Sequence, residues 1–241
     1  MNTNLDVPER CLAIGAHPDD IEFGCGATLA KWAASGCAIH HLVCTDGSKG
    51  SWDPNEDRAR LVAVRRDEQR AAATALGGRA EPVFLDWPDG ELEAGIRQRW
   101  EVAYWIRRIR PDVVFGHDPW RRWRLHPDHR AAGFLATDGI VAARDPHFFP
   151  EQELEPYRPR HLLLWEADEI DHVEDASGFE EAKLRALMAH ASQFRSTMHI
   201  EDPDATEEVE AFRQRVLGRL AEHGALAGLA LGEGFKIIDR I

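Results

Sequence analysis

The chain has 241 residues, of which 44% are hydrophobic and 29% charged, with a formal net charge of −13. This is the make-up of a soluble globular protein with room for one sizeable α/β domain or two small ones. The acidity argues against nucleic acid or anionic membrane as a partner, since either needs a positive footprint. No window approaches the roughly 18 consecutive apolar residues of a membrane span. The four cysteines, Cys11, Cys25, Cys37 and Cys44, form no CxxC pair, and residues 1–10 lack the apolar core of a signal peptide. Both features predict a reduced, cytoplasmic protein.

The apolar run Cys11–Ala16 reads as a buried strand, followed by His-Pro-Asp-Asp and a helix from about Ile21 to Ser35. Ala38–Thr45 is a second strand, with the turn-rich stretch 46–51 at its carboxyl end. Glu56–Leu76 is a long helix closed by Gly77-Gly78. Pro82–Leu85 is a short strand that leads into Trp87-Pro88-Asp89-Gly90. A helix over Glu93–Arg110 precedes a strand at Asp112–Gly116, and Pro127 suits the first turn of a helix that runs to about Ala143. The proline-rich stretch 144–159 reads as a loop or flap. Further elements are a strand at His161–Trp165, helices over Phe179–Phe194 and Thr206–His223, and a closing strand over 236–241. Repeated strand–helix alternation predicts a largely parallel sheet covered on both faces, in a single domain with a small C-terminal elaboration.

Two clusters of ionisable groups sit at predicted strand ends. His17, Asp19 and Asp20 follow the first strand, and His126, Asp128 and His129 follow the fourth. In a doubly wound sheet these strands are neighbours at the switch point, so the clusters can converge. Two imidazoles and a carboxylate with one open position form a recurrent catalytic zinc site. Bound zinc lowers the pKa of its water from about 15.7 toward roughly 7. A nearby carboxylate can take the water's proton and deliver it to a leaving amine, while a further imidazole stabilises an oxyanion. Read singly, each cluster has a plainer meaning, such as a helix cap.

Ala16-His17-Pro18-Asp19-Asp20 together with His126-Pro127-Asp128-His129 resembles the signature pair of the PIG-L/LmbE-like zinc deacetylases. Thr45-Asp46-Gly47, Arg65-Arg66-Asp67-Glu68, and Lys183–Leu187 leading to His190-Ala191-Ser192-Gln193 extend the resemblance over residues 11–195. The resemblance implies a Rossmann-like three-layer α/β sandwich and removal of acetyl from an N-acetylglucosaminyl conjugate. It implies His17, Asp20 and His129 as ligands of Zn2+, or another divalent metal such as Fe2+, with Asp19 as general base. It also implies a protonated His126 that stabilises the tetrahedral intermediate, with Arg65 and Asp89 contacting a small acetamido-sugar-like substrate. A homo-oligomer, trimeric or hexameric, is a further implication.

Two departures bear on the substrate. Arg124 stands where some thiol-pathway members carry a tyrosine that assists the oxyanion, and the loop 48–51 lacks the family's frequent glutamates. The run 119–124 is aromatic and basic, and reads either as a wall for a sugar ring or anionic group, or as tryptophans packed inside with arginines solvated. His40 and His41 read as packing residues and His190 as a helix-terminal hydrogen-bond partner. His161, His172 and His199 have no partner visible in sequence, and the acidic run from Asp168 to Asp175 reads as a solvated face. Two other functions compete with the deacetylase: an amidase on another amide, such as a thiol S-conjugate, and a non-catalytic metal- or carbohydrate-binding module.

Overall fold

Successive residues of the run after Arg10 face opposite ways, and both sets are buried. Leu12 and Ile14 pack into one hydrophobic core, Cys11 and Ala13 into another. A strand apolar on both faces needs a cover on each side, and the chain supplies it. The computed structural model describes residues 1–239 and 241.

In chain order the elements are β1 (Asn2–Thr3), β2 (Arg10–Gly15), α1 (Asp20–Ala34), β3 (Ala38–Thr45), α2 (Arg58–Ala75), β4 (Val83–Trp87), α3 (Ile96–Ile109), β5 (Val113–His117) and α4 (Pro127–Arg144). There follow β6 (His161–Trp165), β7 (His172–Asp175), α5 (Glu180–Met188), α6 (Thr206–Ala225) and β8 (Gly232–Ile238). The eight strands form one sheet in the order β1-β7-β8-β6-β5-β2-β3-β4. From β4 through β6 every pair is parallel, whereas β8 runs antiparallel to both β6 and β7. Helices α3 and α4 supply the core on one face; α1, α2 and α5 contribute to the other. This is a three-layer α/β sandwich with a mostly parallel sheet.

The chain moves outward from β2 to β3 and β4, then returns to place β5 on the other side of β2. The crevice beyond the carboxyl ends of β2 and β5 is therefore the switch point of the sheet, the usual ligand position in this architecture. Close packing brings α4 to it. A Cβ on Gly133 would lie 2.6 Å from the carbonyl oxygen of His117 and 2.9 Å from the nitrogen of Pro119.

Several expected elements take a different form. The helix expected over Phe179–Phe194 stops at Met188, continues as a short 3₁₀ turn at Ala191–Gln193 and then as a π turn at Phe194–Met198. The C-terminal elaboration enters the sheet itself, with β8 inserted between β6 and β7. Its expected span of 236–241 becomes Gly232–Ile238, and Arg240 lies outside the described residues. The acidic run expected to be solvated contains β7, in which Glu174 is fully buried. That carboxylate accepts hydrogen bonds from Lys31 Nζ at 2.7 Å and the Leu5 amide at 2.7 Å, and lies 2.8 Å from His172 Nε2. Charge pattern alone misplaces it because its counter-charge comes from a distant helix.

The Gly133 contact yields an expectation. Replacing Gly133 with Ala forces α4 from β5 and lowers stability by about 1–3 kcal/mol, the usual cost of overpacking. Urea unfolding at neutral pH measures it, and a midpoint equal to wild type means that the helix gives way freely.

Candidate metal centre and active site

Because β2 and β5 are adjacent, with Ile14 opposite Gly116, the segments that follow them meet. The first turns into α1 through Asp19, and the second reaches α4 through His126, whose Nδ1 accepts the Asp128 amide at 3.3 Å. This brings ligand atoms of His17, Asp20 and His129 within 4.8 Å of one another. Asp20 Oδ1 lies 3.2 Å from His129 Nε2, and Asp20 Oδ2 lies 3.4 Å from His17 Nδ1. Asp20 and Asp128 occupy the first turns of their helices, where the macrodipole favours an anion.

The ring of His17 is oriented from behind. Its Nε2 lies 3.1 Å from Asp128 Oδ2 and 3.2 Å from Asp89 Oδ1, which places the proton there and leaves Nδ1 facing the cluster. Asp128 is itself fully buried and accepts the amides of Gly90 at 2.6 Å and Leu92 at 3.1 Å. Asp20 Oδ2 accepts the His17 amide at 2.7 Å and lies 3.2 Å from His117 Nε2. Trp165 Nε1 donates to His117 Nδ1 at 3.0 Å. An indole only donates, so His117 carries its proton on Nε2 and gives it to Asp20. Burial opposes the charged form of Asp20, but His129 and His117 hold its carboxyl well below the usual range. Burial likewise opposes the charged form of His17, yet Asp128, Asp20 and Asp89 raise it well above its ordinary value.

Asp19 sits beside these three candidate donors in a different environment. Its backbone is left-handed, with φ 100° and ψ −28°, a conformation that costs a non-glycine residue on the order of 1–3 kcal/mol. The turn is held because its amide donates to Gln69 Oε1 at 3.1 Å, while Gln69 Nε2 donates to Glu22 Oε1 at 2.7 Å. Burial pushes the Asp19 carboxyl up to about 6, against the pull of Arg65 and with help from Asp20. Arg65 Nη2 lies 3.6 Å from Asp19 Oδ2, but the guanidinium donates to the carbonyls of Pro18 at 2.6 Å and Gly47 at 2.9 Å. Its hydrogen bonds thus brace the loop as well as facing the site. A Cβ at Gly50 would lie 2.2 Å from Arg65 Nη1, so this approach requires glycine there.

These residues line a cleft of about 390 Å³ with Lys49, Trp52, Asp89 and Ser196 around it. Asp89 reaches it by the β4 loop: Oδ2 accepts the Lys49 amide at 2.9 Å, and Lys49 Nζ donates to the Asp89 carbonyl. Partial burial and the imidazoles of His17 and His129 hold His126 below its ordinary value. The ring expected to act protonated is therefore disposed to be neutral. Since its Nδ1 accepts the α4 cap bond, its Nε2 carries the proton and remains a donor.

The arrangement includes residues that the motifs did not single out. Asp128 figures in the sequence only as part of the second cluster, and Gln69 and His117 belong to no motif; their signal is position, Gln69 one turn beyond Arg65 and His117 at the end of β5. The packing reading of the 119–124 run does not hold, because Trp123 is 87% exposed while Arg124 is only 9% exposed. His190, expected as a helix-terminal partner, is fully buried, with Nε2 3.4 Å from Glu22 Oε2. His161 lies 3.1 Å from Asp239 Oδ1.

The fold and this donor set define an α/β protein with a candidate His–Asp–His metal centre at the switch point. The family model for PIG-L, GlcNAc-PI de-N-acetylase, matches residues 12–140. Diacetylchitobiose deacetylase of Thermococcus kodakarensis is 31% identical, over 100% of this chain and 87% of that protein. The 1D-myo-inositol 2-acetamido-2-deoxy-alpha-D-glucopyranoside deacetylase of Rhodococcus erythropolis is 28% identical over 90% of this chain and 95% of its own. Among solved structures, N,N'-diacetylchitobiose deacetylase from Pyrococcus horikoshii, complexed with its inhibitor MPG, superposes with a TM-score of 0.85 at 30% identity. That match covers 96% of this chain and 84% of the other. The chain belongs to the PIG-L family. No described helix is long and apolar enough to cross a membrane.

The acidity of Asp19 makes a prediction for the metal-free protein. With its folded pKa raised from 3.8 to about 6, the native state binds more protons than the unfolded one between those values. Stability therefore falls as pH rises through that window, and the penalty is complete at pH 7. Asp19→Asn should be more stable than wild type by about 1–3 kcal/mol at pH 7, with the gain vanishing below pH ~3.8. Chemical denaturation at the two pH values measures it; an equal gain at both assigns the effect to something other than ionisation.

Proposed function

We propose that the protein is a metal-dependent hydrolase that removes an acetyl group from an N-acetylated amino sugar or its conjugate. One observation carries this reading: a three-donor cluster lies beside a fourth group, Asp19, that is buried, not among the three donors, and less acidic than an ordinary carboxylate. The donor set of two imidazoles and one carboxylate, with His17 oriented through Nε2, fits zinc, and iron(II) accepts the same donors. When bound, such an ion supplies a Lewis acid and an acidified water.

The remaining work falls to the chain. Asp19 takes a proton from the attacking water, and its carboxyl near 6 suits a base that must then return that proton to the departing amine. His126 Nε2–H donates to the developing oxyanion as a neutral imidazole. Arg65 steadies the Asp19 turn and, with Asp89, offers polar groups to sugar hydroxyls. The resemblances to deacetylases of diacetylchitobiose and of a 2-acetamido-2-deoxyglucopyranoside support an acetamido sugar as substrate. The reading extends to one domain over residues 1–241 and a homo-oligomer, which rest on the family resemblance. A cytoplasmic location accords with four cysteines that are all free and buried.

Asp19→Ala should retain the metal and lose about two to four orders of magnitude in turnover, whereas His129→Ala should lose the metal itself. Elemental analysis and a deacetylation assay over a panel of N-acetylglucosaminyl compounds and acylated thiol conjugates test both. Near-full activity of Asp19→Ala removes Asp19 as base, and turnover confined to the thiol conjugates replaces the sugar with another amide.

A further inference from the structure

Arg124, on the loop after β5, is unused by the reaction described above. Its side chain is buried despite its charge, and one nitrogen makes all its close polar contacts. Nη1 lies 2.6 Å from Glu166 Oε2, 3.1 Å from His129 Nδ1 and 3.3 Å from His117 Nδ1. Among the described residues, Nε and Nη2 have no hydrogen-bond partner. His117, His129 and Glu166 are themselves a group whose donor atoms lie within 4.8 Å of one another. The guanidinium is seated in that trio as a fixed cation, sharing His129 with the candidate metal centre.

A guanidinium has five N–H donors and no acceptor, so its contact with His129 Nδ1 uses that nitrogen's lone pair. A neutral imidazole has one lone pair and one N–H. The proton of His129 then lies on Nε2, the nitrogen 3.2 Å from Asp20 Oδ1. Asp20 is satisfied, but the lone pair that a metal would take is turned away from it. Ligation through Nε2 requires the other tautomer, with N–H on Nδ1 pointing at a guanidinium that can only donate. Coulomb repulsion between Arg124 and a divalent ion acts in the same direction.

We infer that Arg124 competes with the metal for His129 and so sets the affinity of the centre for divalent cations. Metal binding moves Arg124 off His129 and leaves it on Glu166, the partner it already holds at 2.6 Å. The inference rests on His17, Asp20 and His129 being the metal ligands. It is distinct from the catalytic reading, since it concerns how tightly the ion is held.

Zinc titration of the metal-stripped protein against a chelating dye tests it, with wild type, R124M, R124K and R124M/E166Q compared and folding checked by circular dichroism. R124M should bind one equivalent with a Kd lower by about tenfold or more. R124K keeps the charge and should stay within about threefold of wild type. R124M/E166Q should keep the gain, because the gain comes from the lost cation; it also leaves no lone buried charge if R124M alone folds poorly. Wild-type affinity in R124M, an equal gain in R124K, or a gain lost in the double variant (Glu166 then acting as a ligand) overturns the inference. Wild type that binds zinc while R124M binds no tighter rejects this inference alone. Wild type that binds no zinc removes the ligand assignment and this inference with it.

Discussion

The carboxylate of Asp128 ties together the parts on which the candidate site depends. It is fully buried, and it is satisfied only because His17, Gly90 and Leu92 all turn toward it. These partners come from the β2–α1 turn and the loop after β4, while Asp128 itself opens α4. One anion therefore fixes the ring of His17, the approach of the Asp89 loop and the start of the helix that carries His129. Burial works against the charge, yet the hydrogen bonds from His17 and Gly90 keep the carboxyl acidic. Removing any one partner leaves part of a buried carboxylate unpaired, a costly condition in a low-dielectric interior.

Neighbouring Asp19 and Asp20 show how one turn can prepare two carboxylates for opposite tasks. Asp20 projects between His17, His117 and His129 and is held strongly acidic; Asp19, turned away by its left-handed backbone, is pushed up to about 6 by burial. The divergence of adjacent acids is the general pattern by which an acid–base group is separated from an electrostatic or ligating one. Here it depends on a backbone conformation that Gln69 holds from α2.

Strands β2 and β5 were legible because a strand buried on both faces is a continuous apolar run, and their ends carried the two ionisable clusters. The switch point followed from the order of elements, so the convergence of His17 with His129 followed too. What stayed hidden was set by partners far along the chain. Glu174 reads as solvated until Lys31 is placed against it, and the inversion of Trp123 and Arg124 depends on Glu166, on the far side of β6 in sequence. The broken helix after Met188 has the same kind of distant cause: the Ser192 amide and hydroxyl both donate to Glu68, which draws the chain toward α2. Short β1 and β7 are likewise stabilised by their neighbours in the sheet, β1 by β7 and β7 also by β8, rather than by either sequence alone.

The insertion of β8 between β6 and β7 has a consequence for the order in which the molecule is made. The parallel strands β2 to β6 are complete once residue Trp165 has been synthesised, and their helices up to α4 already lie within that length. Until Gly232–Ile238 emerge, however, β6 ends the sheet with unpaired amides and carbonyls along a fully apolar Leu162-Leu163-Leu164 stretch. An open edge of that kind is a template for pairing with another chain. Strand β8 closes it, so the interval between synthesis of residues 165 and 238 is one in which the nascent protein is open to misassembly at that edge.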